Sequence, residues 1–258
     1  MKKKILALGL TAATVISMVG CGSKDASDLE YVQKKGTLVV GVTDFAPMDY
    51  IDASGEWVGF DAELAEAFAD SLGVNVEFVE IEWDNKVLEL NGKSIDCVWN
   101  GMTLNAEVME AMETSKAYCD NAQVVIVPAD KAADYQTVDS LSGLNFAVEA
   151  GSAGKDEAEA NGLSYTEVQN QAAALLEVAS GTSDGAIIDS LMAAAMVGEG
   201  TSYANLTYTV ALNSEEYGVG FRKGSELAEK LNAFLDSAMA DGTVMSIAEK
   251  YGVQAAIK

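Results

Sequence analysis

The 258-residue sequence contains no histidine, a single arginine and only two prolines. Without histidine the chain lacks the usual general base of enzymes, the Ser-His and Cys-His nucleophile pairs and the commonest transition-metal ligand. Basic residues are scarce as well, since 16 lysines and arginines stand against 40 aspartates and glutamates, for a formal net charge of −24. A chain this acidic repels phosphate, which excludes nucleic acid as a partner. No cofactor, metal site or catalytic residue is predicted.

Long apolar runs are absent after the first 20 residues. At the N-terminus, three lysines precede an apolar run that ends at Gly20-Cys21, an order typical of a secretory signal and shorter than the ~20 residues of a membrane span. A small residue before a cysteine here resembles the bacterial lipobox, in which Cys21 would be lipidated. We expect a signal peptide over 1–20 and a lipid-anchored tether over 21–28, with the protein on the extracytoplasmic face of the cell membrane. An ordinary signal with an incidental cysteine is the alternative.

Composition indicates a folded body, because 49% of the residues are hydrophobic and 7% are aromatic. Losing the signal would remove three lysines and leave a charge of −27. Cys97 lies in an apolar run and Cys119 follows an aromatic residue, so both are predicted to be small buried hydrophobes. A disulfide between them in an oxidising compartment is left open by the sequence.

The first half of the chain alternates strand and helix patterns. TLVVGV over 37–42 predicts a buried strand, and GFDAELAEAFADSLG predicts an amphipathic helix with Asp61 as N-cap and Gly73 just past its end. A second strand, a short helix around 87–90 and the strand IDCVWNG follow. Strand, helix and strand in this succession predict a parallel sheet with right-handed crossovers.

The pattern restarts in the middle of the chain with QVVIV. A second α/β unit follows, with strands in LNFAVE and GAIID, and the chain ends in two amphipathic helices with glycine stops. The halves are not a literal repeat, so two lobes are expected rather than an array.

Six blocks stand in order along the chain: LEYVQKKGTLVVG, GFDAELAEAFADSLGV, EFVEIEWDNKVLEL, DCVWNGMT, GAIIDS and YGVGFRKGSEL. Their succession resembles the polar-amino-acid-binding proteins of ABC importers, the extracellular solute-binding family 3. The resemblance implies an α/β fold of the type II periplasmic-binding-protein class, in which each lobe is a mixed sheet flanked by helices and the ligand cleft lies between the lobes. The implied divisions are lobe 1 over 29–118 and 216–258, lobe 2 over 123–210, and hinges at 118–122 and 211–216.

The resemblance also implies a ligand site. Phe45 stands at an aromatic lid, Trp83 at a residue that stacks on the ligand, and Asp189 at the partner of the α-ammonium. A core tryptophan is the alternative for Trp83, since large aromatics are usually partly buried. The full implied site is Asp44, Phe45, Trp83, Asn100, Gly101, Met102, Thr103, Glu149, Gly151, Ser152 and Asp189.

One position departs from the family pattern. Five residues after Thr103, where the family has an arginine that binds the α-carboxylate of the ligand, this chain has Val108. A buried carboxylate deprived of its charged partner costs about 3–5 kcal/mol, so another cation such as Lys86, or more amide donors, would be needed. Glu149 and Asp189 add negative charge, which favours a ligand richer in positive charge.

The function that follows from the resemblance is that of a monomeric binding component of an ABC importer. It would close around a small polar or cationic, amino-acid-like ligand and deliver it to a membrane permease. Three alternatives remain: a receptor for a separate membrane signalling partner, a dehydratase-type enzyme on the same fold, and a structural surface protein. The lack of histidine and of a placed acid/base pair disfavours the enzyme.

Overall fold

The structure is a computed structural model and describes residues 27–258. The predicted signal peptide, most of the tether and Cys21 therefore lie outside the described residues. Within the described residues, every helix is too short or too polar to cross a lipid bilayer.

Helices and strands alternate along most of the described chain. The α-helices are α1 Asp28–Lys35, α2 Phe60–Leu72, α3 Lys86–Asn91, α4 Ala106–Ala111, α5 Ala153–Ala160, α6 Gln171–Ser180, α7 Ser190–Met196, α8 Leu227–Ala240 and α9 Thr243–Tyr251. The strands are β1 Thr37–Val42, β2 Tyr50–Ile51, β3 Trp57–Val58, β4 Asn75–Glu80, β5 Cys97–Thr103, β6 Glu113–Thr114, β7 Cys119–Asn121, β8 Gln123–Pro128, β9 Asn145–Glu149, β10 Ser164–Val168, β11 Gly185–Asp189, β12 Leu206–Ala211 and β13 Glu215–Phe221.

The strands form two mixed sheets and a small hairpin. In the first sheet the order is β4-β1-β5-β13-β6, with β7 also paired to β13. Strands β4, β1 and β5 run parallel, as the sequence predicted, whereas β13 is antiparallel to β5. In the second sheet the order is β10-β9-β11-β8-β12, and β8 is the antiparallel member beside β11. This two-lobed α/β architecture is the predicted fold class.

The chain passes between the sheets twice. It leaves the first sheet after β7 and enters the second at β8, then returns between the end of β12 and the start of β13. The predicted hinge segments 118–122 and 211–216 contain these two connections. The last two helices pack on the first sheet, where Phe234 of α8 lies 5.6 Å from Phe68 of α2 between ring centroids.

Helix α2 differs from expectation at its start. Asp61 is not the N-cap, because the capping position is Gly59 and the Asp61 side chain is fully buried. Its carboxylate accepts hydrogen bonds from the backbone N–H of Gly101 at 2.7 Å and from the hydroxyl of Tyr118 at 2.8 Å. The end of the helix is as predicted, since Gly73 has a φ of 74° in the left-handed region that ends many helices.

The single arginine holds the first lobe together away from the cleft. Arg222 is buried, and its Nε donates to Asp28 at 2.9 Å while a terminal nitrogen donates to Asp96 at 3.2 Å. The other terminal nitrogen donates to the main-chain oxygen of Ile95 at 2.8 Å. Every nitrogen of this guanidinium is therefore engaged in joining α1 and the segment before β5 to the end of β13.

Both described cysteines are buried free thiols. Cys97 lies in β5 and Cys119 in β7, and each packs in the apolar core as the sequence predicted. The disulfide that the sequence left open is not formed.

Docking of α8 on the first sheet can be tested by removing buried volume. Leu231 is fully buried in the core, so Leu231→Ala should lower the free energy of unfolding in urea by about 2–5 kcal/mol. Leu88, which is 69% exposed in the same lobe, gives the matched control: Leu88→Ala should change it by less than about 0.5 kcal/mol. Equal effects of the two substitutions would contradict this packing.

Candidate functional site

A cleft of about 240 Å³ lies between the two lobes. It opens where strands of both sheets end, since Thr103 ends β5, Glu149 ends β9 and Asp189 ends β11. Ligand sites in open α/β sheets form at this edge because backbone groups and helix N-termini converge there. All of the residues implied by the resemblance line the cleft except Asp44, which precedes Phe45 but is not part of the wall.

The first-lobe wall is built around Gly101, whose φ of 55° lies in the left-handed region. A Cβ at this position would lie 2.4 Å from Cε1 of Phe45 and 3.0 Å from a ring carbon of Tyr217, so only glycine fits. The ring of Phe45 meets that of Tyr217 edge-on, with centroids 6.3 Å apart. This contact holds Phe45, the predicted aromatic lid, against β13.

The side-chain amide of Asn100 is used within the first lobe. Its oxygen accepts from the backbone N–H of Thr43 at 3.1 Å and from the Thr43 hydroxyl at 2.8 Å, while its nitrogen donates to the buried carboxylate of Asp49 at 2.8 Å. The hydroxyl of Thr103 likewise donates to Glu215 at 3.0 Å. In this conformation Asn100 links β5 to the end of β1, and Thr103 links β5 to β13.

Trp83 lies at the boundary between the apolar core and the cleft. It is 8% exposed and packs in an apolar cluster with Ile81 and Met102, yet its ring lines the cleft. The ammonium of Lys86 lies 5.0 Å from the centroid of its indole. Trp83 is thus a packed, rigid wall.

The second-lobe wall is the loop from Glu149 to Ser152. The Ser152 hydroxyl oxygen accepts from the backbone N–H of Lys155 at 3.3 Å and so caps α5. Gly151 has a φ of 69°, and a Cβ there would lie 2.7 Å from a carboxylate oxygen of Asp84 in the other lobe. Glycine is needed at this position because the two lobes approach so closely.

Two hydrogen bonds across the cleft show that the lobes are closed. The ammonium of Lys86 donates to the main-chain oxygen of Gly151 at 3.0 Å, and the amide of Gln169 donates to Glu82 at 3.3 Å. Both contacts join the first lobe to the second, so the described conformation is the closed one.

Asp189 is the most heavily hydrogen-bonded carboxylate of the site. It is 4% exposed, and it accepts from side chains on both sheets. The donors are the amides of Asn121, Gln123 and Gln171 and the hydroxyl of Tyr217.

Sequence reasoning missed these donors. The side-chain oxygen of Gln171 also accepts from the backbone N–H of Asp189 at 2.9 Å. The amide of Gln171 therefore binds both the side chain and the main chain of Asp189. A polar residue at the first position of an otherwise apolar helix was the available signal for Gln171. Nothing in the local pattern around Tyr217 pointed to Asp189, because 28 residues separate them.

Negative charge dominates the cleft. Its lining includes two lysines, and its carboxylates are Asp84, Glu107, Glu149, Asp156 and Asp189. Glu149 is 2% exposed, and its Oε1 has no hydrogen-bond partner among the described residues. Burial, reinforced by the negative charge of Asp189, raises the pKa of Glu149 to about 8. The cleft therefore has an electrostatic demand for a cation.

Two α/β lobes closed over a polar cleft define the class of two-lobed solute-binding proteins. The family model described as bacterial extracellular solute-binding proteins, family 3, matches residues 38–254. The chain belongs to this family.

Named relatives match over nearly the whole chain. The arginine-binding extracellular protein ArtP of Bacillus subtilis is 28% identical over 256 residues, covering 96% of this chain and 98% of that protein. The lysine/arginine/ornithine-binding periplasmic protein of Escherichia coli is 30% identical over 269 residues, covering 97% of each. Among solved structures, an ABC uptake transporter substrate-binding protein of Streptococcus pneumoniae with bound histidine has a TM-score of 0.81 at 29% identity, covering 90% of this chain and 99% of that one.

The buried carboxyls predict how stability depends on pH. Burial raises the pKa of Asp49, Asp61, Glu149 and Asp189 above the values of the unfolded chain. At a pH between the pKa of the unfolded chain and that of the folded protein, the folded protein binds more protons than the unfolded chain does. The free energy of unfolding is therefore greatest at the acid end of this pH range and falls as pH rises through it. The melting temperature of the ligand-free protein should therefore be higher near pH 5 than near pH 8, at about the same ionic strength.

One substitution isolates the contribution of Glu149. Glu149→Gln removes a carboxyl whose pKa is raised, so the fall in melting temperature between about pH 5 and pH 8 should become smaller. Glu80→Gln, at an exposed carboxylate of β4, should leave the slope as it is in the wild type. A wild-type stability that rises across this range would contradict the burial of these carboxyls.

Proposed function

We propose that this chain is the substrate-binding component of an ABC importer and that its ligand is an amino acid with a positively charged side chain. The observation that carries the proposal is the charge of the cleft, where five carboxylates meet two lysines and one buried carboxylate oxygen has no hydrogen-bond partner in the part of the chain that the structure describes. An ammonium or guanidinium loses its hydration on entering such a cleft, and only compensating carboxylates make that transfer favourable.

A cationic amino acid suits the two innermost carboxylates. Asp189 is held rigidly by its donors and supplies a fixed carboxylate for the α-ammonium, as the family resemblance implies, and a bound ammonium would favour its ionised form. Glu149 has an oxygen without a hydrogen-bond partner among residues 27–258 and supplies the second carboxylate, for the cationic side chain. The relatives named for arginine and for lysine, arginine and ornithine support this class of ligand.

Ligand capture would proceed by closure about the two connections between the sheets. Segments 118–122 and 211–216 are the proposed hinges, and the contacts of Lys86 with Gly151 and of Gln169 with Glu82 belong to the closed state. A ligand that touches both walls binds the closed state more tightly and shifts the population toward it. The closed, loaded protein would then be recognised by a permease.

Location and attachment are further parts of the proposal. Relatives described as extracellular and periplasmic support an extracytoplasmic position. The apolar N-terminal run ending at Gly20-Cys21 supports a lipid anchor on Cys21. A monomer held at the membrane surface would deliver its ligand without a spanning helix of its own.

Ligand class can be tested by thermal shift and calorimetry. L-Arginine, L-lysine, L-ornithine or L-histidine at about 100 times its dissociation constant should add about 2.7 kcal/mol of stability, whereas L-glutamate should add none. Asp189→Asn should weaken the binding of the best of these ligands by at least about 2 kcal/mol, because the substitution removes one partner of a buried charge pair. Glu149→Gln should also weaken it.

Asp139→Asn is the matched control, since Asp139 is an exposed aspartate of the second lobe. It should leave the affinity unchanged. Tight binding of L-glutamate that neither cleft substitution alters would contradict the cationic ligand.

The lipid anchor can be tested in cells of a bacterium that processes lipoproteins. Cys21→Ala should release the protein into the medium or leave an unprocessed precursor, because the residue that accepts lipid is gone. Cys119→Ala, at a buried thiol of the first lobe, should stay in the membrane fraction. A wild-type protein found without lipid and with its N-terminus elsewhere would contradict the anchor.

A further inference from the structure

Any amino acid brings a carboxylate as well as its ammonium groups. In this cleft the carboxylate would face Asp84, Glu107, Glu149, Asp156 and Asp189, all of one charge. A carboxylate in a partly desolvated site with such neighbours is unfavourable unless a cation or several donors compensate it. The wall must therefore contain a group that accepts the carboxylate of the ligand.

Two of the three candidate cations are already engaged. Arg222 is buried elsewhere in the first lobe, with Asp28, Asp96 and two main-chain oxygens as its partners. Lys155 lines the rim of the cleft but pairs with Glu167 at 3.0 Å. Val108, which also lines the cleft, packs in an apolar cluster and offers no charge.

Lys86 is different from both. Its ammonium lies in the cleft and donates to two main-chain oxygens, that of Trp83 at 3.2 Å and that of Gly151 at 3.0 Å. An ammonium has three donors, so one is left for a further acceptor. Among the described residues no carboxylate lies within ion-pairing distance of this nitrogen, although its neighbours in the wall are acidic.

The position of Lys86 on its helix and its burial both work against a charged side chain. Lys86 is the first residue of α3, and a positive charge at the N-terminal end of a helix is unfavourable. Burial lowers the pKa of Lys86, although the negative charge of Glu149 acts in the opposite direction, so burial disfavours the charged form of this side chain. A carboxylate bound at the ammonium would favour the charged form.

We propose that Lys86 binds the α-carboxylate of the ligand and is the residue that makes this acidic cleft select amino acids over the corresponding amines. The inference rests on the proposed function, a cationic amino acid as ligand. Because the same ammonium bonds Gly151 of the opposite lobe, a carboxylate held there would also meet the second wall. Carboxylate recognition and lobe closure would then share one side chain.

The experiment compares each amino acid with its decarboxylated amine by calorimetry. The pairs are L-arginine and agmatine, L-lysine and cadaverine, L-ornithine and putrescine, and L-histidine and histamine. In the wild type the best-bound amino acid should bind about 10- to 100-fold more tightly than its amine, the range for a hydrogen bond to a charged group. Lys86→Met should abolish this difference.

The two ligands of a pair should respond to Lys86→Met in opposite directions. The amino acid loses its carboxylate partner and should weaken about 10- to 100-fold, whereas the amine loses a repelling charge and should bind as well as before or better. Lys86→Arg keeps the charge and should retain the preference for the amino acid. Lys34→Met is the matched control and should leave the preference unchanged, because Lys34 is an exposed lysine of α1 that does not line the cleft.

Three results would overturn the inference. If Lys86→Met weakens the binding of both members of a pair by the same factor, Lys86 only helps to close the lobes and does not bind the carboxylate. A wild type that binds amine and amino acid alike would show that the carboxylate is not recognised. If no amino acid binds the wild type while the protein is folded by circular dichroism, the proposed function fails, and this inference fails with it.

Discussion

The carboxylate of Asp189 accepts hydrogen bonds from side chains of both lobes and so joins them. Asn121 and Tyr217 reach it from the first sheet, Gln123 reaches it from the second sheet, and Gln171 reaches it from α6 of the second lobe. Hydrogen-bond donors rather than a cation compensate this buried charge, so the site keeps its negative potential while the carboxylate stays fixed. Asn121, Gln123 and Tyr217 flank the connections between the sheets, and the geometry of those connections therefore sets the geometry of the site.

Few cations are available in this chain to pair with its buried carboxylates. Arg222 and Lys35 both bind the buried carboxylate of Asp96 and stabilise the first lobe far from the cleft. Interior carboxylates such as Asp49 and Glu149 have no cation as a hydrogen-bond partner among the described residues, and burial raises their pKa values. A protein with more bound cations would neutralise its own cleft. Here the unmet negative charge is available to a ligand.

The sequence predicted the elements better than their interactions. The buried strand at 37–42, helix α2 with its end at Gly73, and the restart of the pattern in the second lobe all follow from local periodicity, so they were found. Asp61 was misassigned as a cap because its true partners, Gly101 and Tyr118, are 40 and 57 residues away. The donors of Asp189 were missed for the same reason. Closure of the lobes also depends on contacts between distant segments, such as Gln169 with Glu82.

Val108 shows how such distant contacts change the meaning of a departure from a family pattern. Viewed along the sequence, an apolar residue in the place of an arginine removes the partner of a carboxylate. In the folded protein Val108 packs into the apolar cluster beside Trp83, and the ammonium of Lys86 lies over that same indole ring. A cation thus lies at the same aromatic wall, on α3 instead of α4. Lys86 and Val108 are far apart in the sequence but line the same cleft, so the charge of the cleft depends on the fold and not on either position alone.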